Sequence, residues 1–136
     1  MGPGYVIVLD THVWWWALSE PHHLSRAATE AIQDTPREQV RVAAISLWEL
    51  ALLFHRQRIV LEIPPQVWFR HALEGTGFQV EPLTPAVALE AYHLPEPFHR
   101  DPADRLIVAT ARILGARLIT KDRLIRDYAH VATVWD

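Results

Sequence analysis

The sequence predicts an α/β fold, a parallel sheet of about five strands covered on both faces by helices. Three observations carry this expectation. Short β-branched or apolar runs of strand length alternate with longer segments of helical periodicity. Proline and glycine punctuate the boundaries between them. Half of the 136 residues are apolar, which suits one compact domain with a real core rather than two small ones. Such sheets are joined by right-handed crossovers and gather their sites at the carboxyl ends of the strands.

Taken in order, residues 5–9 (YVIVL) form a β-branched apolar run that ends in a carboxylate, Asp10, and read as a buried strand. The segment after it is helical in character. Residues 24–34 carry Ser25 as a cap and Leu24, Ala28, Ala31 and Ile32 on one helical face, and Pro36 ends the helix. Residues 41–45 (RVAAI) are a second strand, and the stretch from Ser46 through Glu49 opens a helix that runs to about Gln57. Pro64 and Pro65 start another helix, which stops near Gly75 and Gly77. Residues 78–83 (FQVEPL) are a short strand, after which Thr84 and Pro85 begin a helix through Tyr92. A loop rich in proline and histidine follows. Asp101 and Pro102 cap and open a helix over 102–114, whose alanine-rich face suits close packing and which ends at Gly115 in a left-handed cap. Residues 117–120 (RLIT) are a strand, 123–128 a short helix and 131–135 the last strand.

The chain has no cysteine, which excludes disulfides, thiolate zinc sites and thiol redox chemistry and fits a reducing cytoplasm. Its start, MGPGYVIVLD, lacks the basic beginning and long apolar stretch of a secretory signal, and no segment approaches the roughly 18 apolar residues of a membrane span. A soluble cytoplasmic protein that makes no use of a membrane is expected. The formal charge of −3 argues against a protein that holds nucleic acid by positive charge alone. The basic side chains are nonetheless twelve arginines and one lysine, and arginine is the better bidentate partner for phosphate.

On the predicted frame Asp10 leaves the first strand, Glu49 begins the helix after the second, Asp104 begins the helix before the fourth, and Asp122 leaves the fourth. Helix starts and strand ends can share one edge, so four acids distant in sequence could meet there. Carboxylates a few ångströms apart repel, and a divalent cation removes the conflict. All-oxygen ligation suits magnesium or manganese, which keep waters for a substrate phosphate to displace. Each acid also has a purely structural reading. Ser46 and Glu49 match a capping box, Asp101 and Asp104 match a cap and a first-turn acid favoured by the helix dipole, and Asp122 can cap the short helix after it. Asp10 is the hardest to explain structurally, because a charge at the end of a buried strand is costly without a partner. The eight histidines show no zinc-binding spacing. His22 and His23 are adjacent, His55 stands alone, and these read as surface or packing residues, whereas His12 is of interest two residues after Asp10.

Four strings, LDTHVWWWAL (residues 9–18), SLWELALL (46–53), RDPADRLIVATA (100–111) and LITKDRLIRDY (118–128), together resemble PIN-domain proteins and, more narrowly, the VapC toxins of type II toxin–antitoxin systems. The resemblance spans nearly the whole chain and implies that 1–136 is a single PIN-like ribonuclease domain with a three-layer α/β/α fold. It implies magnesium-binding catalytic acids at Asp10, Glu49, Asp104 and Asp122, with the last the most variable position, in a threonine-x-acid pattern with Thr120. It further implies endonucleolytic RNA cleavage, a homodimer and a cognate antitoxin. Related sequences often have an aromatic where this chain has Ala103. Asp101 is assigned to capping.

Trp14, Trp15 and Trp16 on a helix would fan across about 200° and cannot all face one core. A protein partner, either a second subunit or an antitoxin segment, is the expected reason for at least one of them. Arg100, Arg105, Lys121 and Arg123 flank the third and fourth acids and are candidates for holding RNA phosphates, with salt bridging as the alternative. Three rival classes fit the residues less well. A haloacid-dehalogenase-like phosphatase needs an aspartate where His12 stands. A structure-specific DNA nuclease shares the acidic centre, though this length leaves little room for elements that grip a junction. A catalytically silent PIN binding module is disfavoured by the presence of all four acids.

Overall fold

Every strand that the sequence indicates takes its place in one sheet in the computed structural model, which describes residues 5–136. Residues 1–4, part of the amino-terminal stretch read above, lie outside the described residues. The elements are β1 (Ile7–Leu9), α1 (Thr11–Ser19), α2 (Arg26–Gln33), β2 (Val40–Ala43), α3 (Ala44–His55), α4 (Pro65–Leu73), β3 (Gln79–Glu81), α5 (Pro85–Tyr92), α6 (Pro102–Leu114), β4 (Arg117–Ile119), α7 (Arg123–Arg126) and β5 (Thr133–Val134). Single 3-10 turns at Pro21–His23 and Arg37–Gln39 join α1 to α2 and lead into β2. The sheet order is β3-β2-β1-β4-β5, and all four pairings are parallel. The fold is a three-layer α/β/α arrangement around a five-stranded parallel sheet.

Side chains on a strand alternate between faces, and here the alternation divides the core in two. Ile7 and Leu9 join Val40, Val42 and Ile119 under α1, α3 and α4, where Trp14, Leu50 and Trp68 fill the space. Val8 turns the other way with Ala43 and Leu118, against Ile107, Val108 and Ala111 of α6 and Ile125 of α7. The alanine-rich face of α6 lets α5 approach closely, with Val87 and Ala91 packed on Ala109. No helix among the described residues is long and apolar enough to cross a membrane.

Local chemistry explains the helix boundaries. The hydroxyls of Ser25 and Thr84 accept from the backbone N–H groups of Ala28 and Val87, capping α2 and α5. Asp101 caps α6 by accepting from Asp104 N at 3.0 Å. At its far end Gly115 takes φ of 62°, and its N–H and that of Ala116 turn back to the carbonyls of Arg112 and Ala111. Several elements are shorter than the sequence reading has them, and one boundary bears directly on the acids. The second strand ends at Ala43, and α3 starts at Ala44 with no side-chain cap. Strand pairing has already ended there, so Ala44 and Ile45 enter the helix. Ser46 and Glu49 are therefore interior helical residues, and the capping box is not formed.

Two substitutions test this account by chemical denaturation. Gly115→Ala meets no atom within 4 Å, so its cost is the left-handed backbone alone, about 1 kcal/mol. Leu50→Ala, at a fully buried side chain, should cost about 2–5 kcal/mol through lost burial and a residual cavity.

Candidate active site

Three neighbouring strands end level with one another, and the chemistry gathers where they do. Leu9 is in register with Val42 on one side and Ile119 on the other, so Asp10, Ala43 at the end of β2, and Thr120 all follow at the same edge. The chain runs outward from β1 through β2 to β3 and then returns to place β4 on the opposite side of β1. The crevice between β1 and β4 is thus the topological switch point, the place where open α/β sheets receive ligands.

Asp10 is fixed from both directions. Its backbone N–H donates to Ile119 O at 3.0 Å, and its carbonyl accepts from Trp14 N at 2.9 Å to begin α1. Its Oδ1 accepts from Thr11 N at 2.9 Å, and its Oδ2 accepts from the Thr120 hydroxyl at 2.7 Å. The same Thr120 oxygen accepts from Asp122 N at 3.0 Å, which positions Asp122 as the cap of α7, accepting from Ile125 N at 3.2 Å. Thr120 is wholly buried and orients two acids at once.

Glu49 is held by a second threonine. The Thr11 hydroxyl donates to Glu49 Oε1 at 2.5 Å and lies 2.8 Å from the buried Ser46 hydroxyl. With its single proton given to Glu49, Thr11 accepts from Ser46. The sequence reading attached Ser46 and Glu49 to a helix end, whereas they form a buried relay to the residue that follows Asp10. Asp104, in the first turn of α6, has its Oδ2 3.2 Å from His99 Nε2. His99 Nδ1 accepts from Asp101 N at 3.3 Å, while its buried Nε2, close as it lies to Asp104, is not aligned to form a hydrogen bond.

The carboxylates share one electrostatic environment. Burial pushes Asp104 up from the ordinary aspartate value to about 7, and the charges of Asp10, Asp101, Asp122 and Glu49 push in the same direction. Burial also raises Asp10 against the lowering effect of its Thr120 and Thr11 hydrogen bonds, with Asp122 adding to the rise. Glu49 is raised by burial first and then by Asp10 and Asp101, while the Thr11 hydrogen bond opposes. The acids that the sequence placed on one edge thus feel one another. Oxygen-only donors that repel at neutral pH suit a hard divalent cation, and in donor chemistry the residues fit magnesium or manganese, although among the described residues no three of these acids hold ligand atoms within 4.8 Å of one another.

Asp10, His12, Val13, Trp16, Lys121 and Asp122 line an open cleft of about 430 Å³. His12 is therefore where the sequence made it of interest. The three tryptophans separate: Trp14 and Trp15 are buried in the core, which withdraws them from any partner surface of this chain, while Trp16 is half-buried at the cleft. The Lys121 ammonium lies 5.8 Å from the centre of the Trp16 ring. Among the remaining basic candidates, Arg123 is exposed beside Asp122. Arg100 lines a different groove with Leu83, Tyr92 and Leu106. Arg105 is turned to the backbone, donating to the carbonyls of Ala91 at 2.9 Å and His99 at 3.0 Å. Thr11 and His99 were not singled out from the sequence, and Ser46 was read only as a helix cap. For Thr11 the available signal was its position directly after Asp10, and for His99 the histidine-containing loop ahead of the third acid.

The three-layer α/β/α fold carries acids at the edge beside its switch point, and the PIN domain family model matches residues 7–131, so the chain belongs to that family. It is homologous to the VapC toxins of toxin–antitoxin systems. The chain is 45% identical over 131 residues, covering 95% of its length and 98% of the relative's, to "Ribonuclease VapC22" of Mycobacterium tuberculosis (strain ATCC 25618 / H37Rv). Among solved structures, VapBC2 of Rickettsia felis bound to a promoter DNA fragment superposes with a TM-score of 0.69 at 13% identity, covering 96% of this chain and 99% of that one. A toxin–antitoxin complex from Klebsiella pneumoniae gives 0.67 at 20% identity, covering 93% and 96%.

Two measurements follow from the geometry. Between pH 3.8 and about 7 the unfolded chain has released the Asp104 proton while the folded chain retains it, so stability without metal falls as pH rises through that window. Asp104→Asn should flatten this part of the stability profile, and added magnesium should raise the melting temperature more at pH 7.5 than at pH 5. Thr120→Val removes the hydroxyl that orients Asp10 and Asp122, and calorimetry should show magnesium affinity reduced by about 10–100-fold.

Proposed function

We propose that this chain is a magnesium-dependent endoribonuclease, with manganese as an alternative ion, acting as the toxin of a toxin–antitoxin pair in the cytoplasm. The observation that carries the reading is Asp104 at the edge of the switch point, raised to about 7 by burial first and then by the charges of Asp10, Asp101, Asp122 and Glu49. The 45% identity to a ribonuclease supports RNA as the substrate.

Asp10 and Asp104 would hold the ion, and Asp122 would contribute through the oxygen that does not cap α7. A bound ion would supply a water activated for in-line attack and charge neutralisation at the departing oxygen. Glu49, steered by Thr11, completes the ion's surroundings or orients the nucleophilic water. Thr120 keeps Asp10 from turning away. His12 and Lys121 stand at the mouth of the cleft, where Lys121 and the exposed Arg123 can take RNA phosphates without competing for the ion. A cognate antitoxin is a proposed partner, as in the toxin–antitoxin complex that shares this fold, and a second copy of the chain is proposed beside it.

Purified protein should cleave single-stranded and loop-containing RNA with magnesium or manganese, lose cleavage on chelation, and lose roughly 100-fold or more in Asp10→Asn, in line with removing a principal ligand. Activity that survives both chelation and Asp10→Asn would sink the proposal. Preferential cutting of flap DNA would redirect it to a DNA nuclease, and calorimetry without magnesium binding would point to a silent binding module.

A further inference from the structure

Outside the acidic cleft, the connection between α1 and α2 brings three metal-ligand side chains together. Glu20, His22 and His23 each offer one ligand atom, and these atoms lie within 4.8 Å of one another. His23 Nε2 is 3.0 Å from Glu20 Oε1, and the two imidazole rings are 4.4 Å apart between centroids. None of the three lines the cleft that contains Asp10.

The set is held before any ion arrives. Glu20 Oε2 accepts from the indole N–H of the buried Trp15 at 2.9 Å, which leaves Oε1 turned to His23. His23 stacks on Trp16 at 5.4 Å with 30° between the planes. Pro21 fixes the backbone at the start of the 3-10 turn that carries both histidines. A plain Glu20–His23 ion pair would account for one contact but gives no reason for His22 to converge as well.

We propose that Glu20, His22 and His23 form a transition-metal site suited to zinc and separate from the carboxylate centre. Two imidazoles and a carboxylate are a borderline-soft donor set that zinc accepts and magnesium, which prefers oxygen, does not. Zinc bonds of about 2.0–2.1 Å give a tetrahedral edge of about 3.3 Å, so the 3.0 Å separation has to open by only a few tenths of an ångström. The exposure of both histidines leaves a fourth position open to water or to a side chain from another molecule. Because His23 stacks on Trp16, an ion here braces one wall of the acidic cleft without touching its acids.

Tag-free protein stripped of metal is titrated with zinc chloride in excess magnesium chloride, followed by calorimetry and tryptophan fluorescence. The expected result is one zinc ion per chain, accompanied by a fluorescence change and retained in Asp10→Asn. His22→Ala and His23→Ala should each weaken zinc binding by about tenfold or more, the least that loss of a direct ligand should cost. Glu20→Gln can still accept from Trp15, so weaker zinc binding in that variant reports the lost charge rather than a lost fold. Circular dichroism confirms that the variants are folded. Zinc binding that is absent, that persists in the His22→Ala/His23→Ala double variant, or that disappears in Asp10→Asn overturns the proposal.

Discussion

The parallel pairing of β1 with β2 on one side and β4 on the other is the interaction on which the rest of the molecule depends. Three residues, Ile7, Val8 and Leu9, carry both ladders, and all are essentially inaccessible to water. A strand buried on both faces has to be apolar, and its first polar residue emerges where the ladder ends. That residue is Asp10. Because β4 ends in the same register, the hydroxyl of Thr120 meets the Asp10 carboxylate, and Asp122 follows it into the same edge. A slip of one residue in either ladder would turn the apolar set to the wrong face and separate the two acids from their shared threonine.

The edge so built is electrostatically strained in the absence of a cation. Stability alone would not gather carboxylates whose burial and mutual repulsion raise Asp104 to about 7. Two threonine hydroxyls offset part of the strain by donating to Asp10 and Glu49, but neither supplies positive charge. His12 offsets a further part at Asp10 and Glu49, whereas the flanking Lys121 and Arg105 are engaged elsewhere. Lys121 is placed over Trp16, and Arg105 is engaged by backbone carbonyls. Strain of this kind at one edge is what the proposed metal-dependent chemistry would use.

The tryptophan triplet illustrates how one helix can serve both layers of this design. Trp14 and Trp15 pack with Trp68, Phe54 and Phe69 under the sheet and anchor α1 at a fixed rotation. With that rotation set, the next residue, Trp16, is carried to the cleft, between His12, Lys121 and His23. The aromatic core thereby determines which face of α1 meets the acids. It also turns Glu20 inward to the Trp15 indole, so core packing and the surface cluster of Glu20, His22 and His23 share one cause.

What the sequence by itself determined was the alternation of elements, the five strands, most of the helix caps and the four acids. These depend on local properties: apolar periodicity, the fixed φ of proline, the tolerance of Gly115 for φ of 62°, and short side chains that cap helices. Helix 102–114 and its caps were legible to the residue because Asp101, Pro102 and Gly115 act within one turn. Tertiary structure decided everything that depends on which residues become neighbours across long separations. It converted the apparent capping box of Ser46 and Glu49 into a relay through Thr11, some 35 positions away, because pairing of β2 ends early enough for α3 to begin at Ala44. It also buried Trp14 and Trp15, diverted Arg105 to backbone carbonyls, and brought His99 to Asp104. Local propensity carries no information about such contacts, since they arise only when the sheet and its two helical layers close around each other.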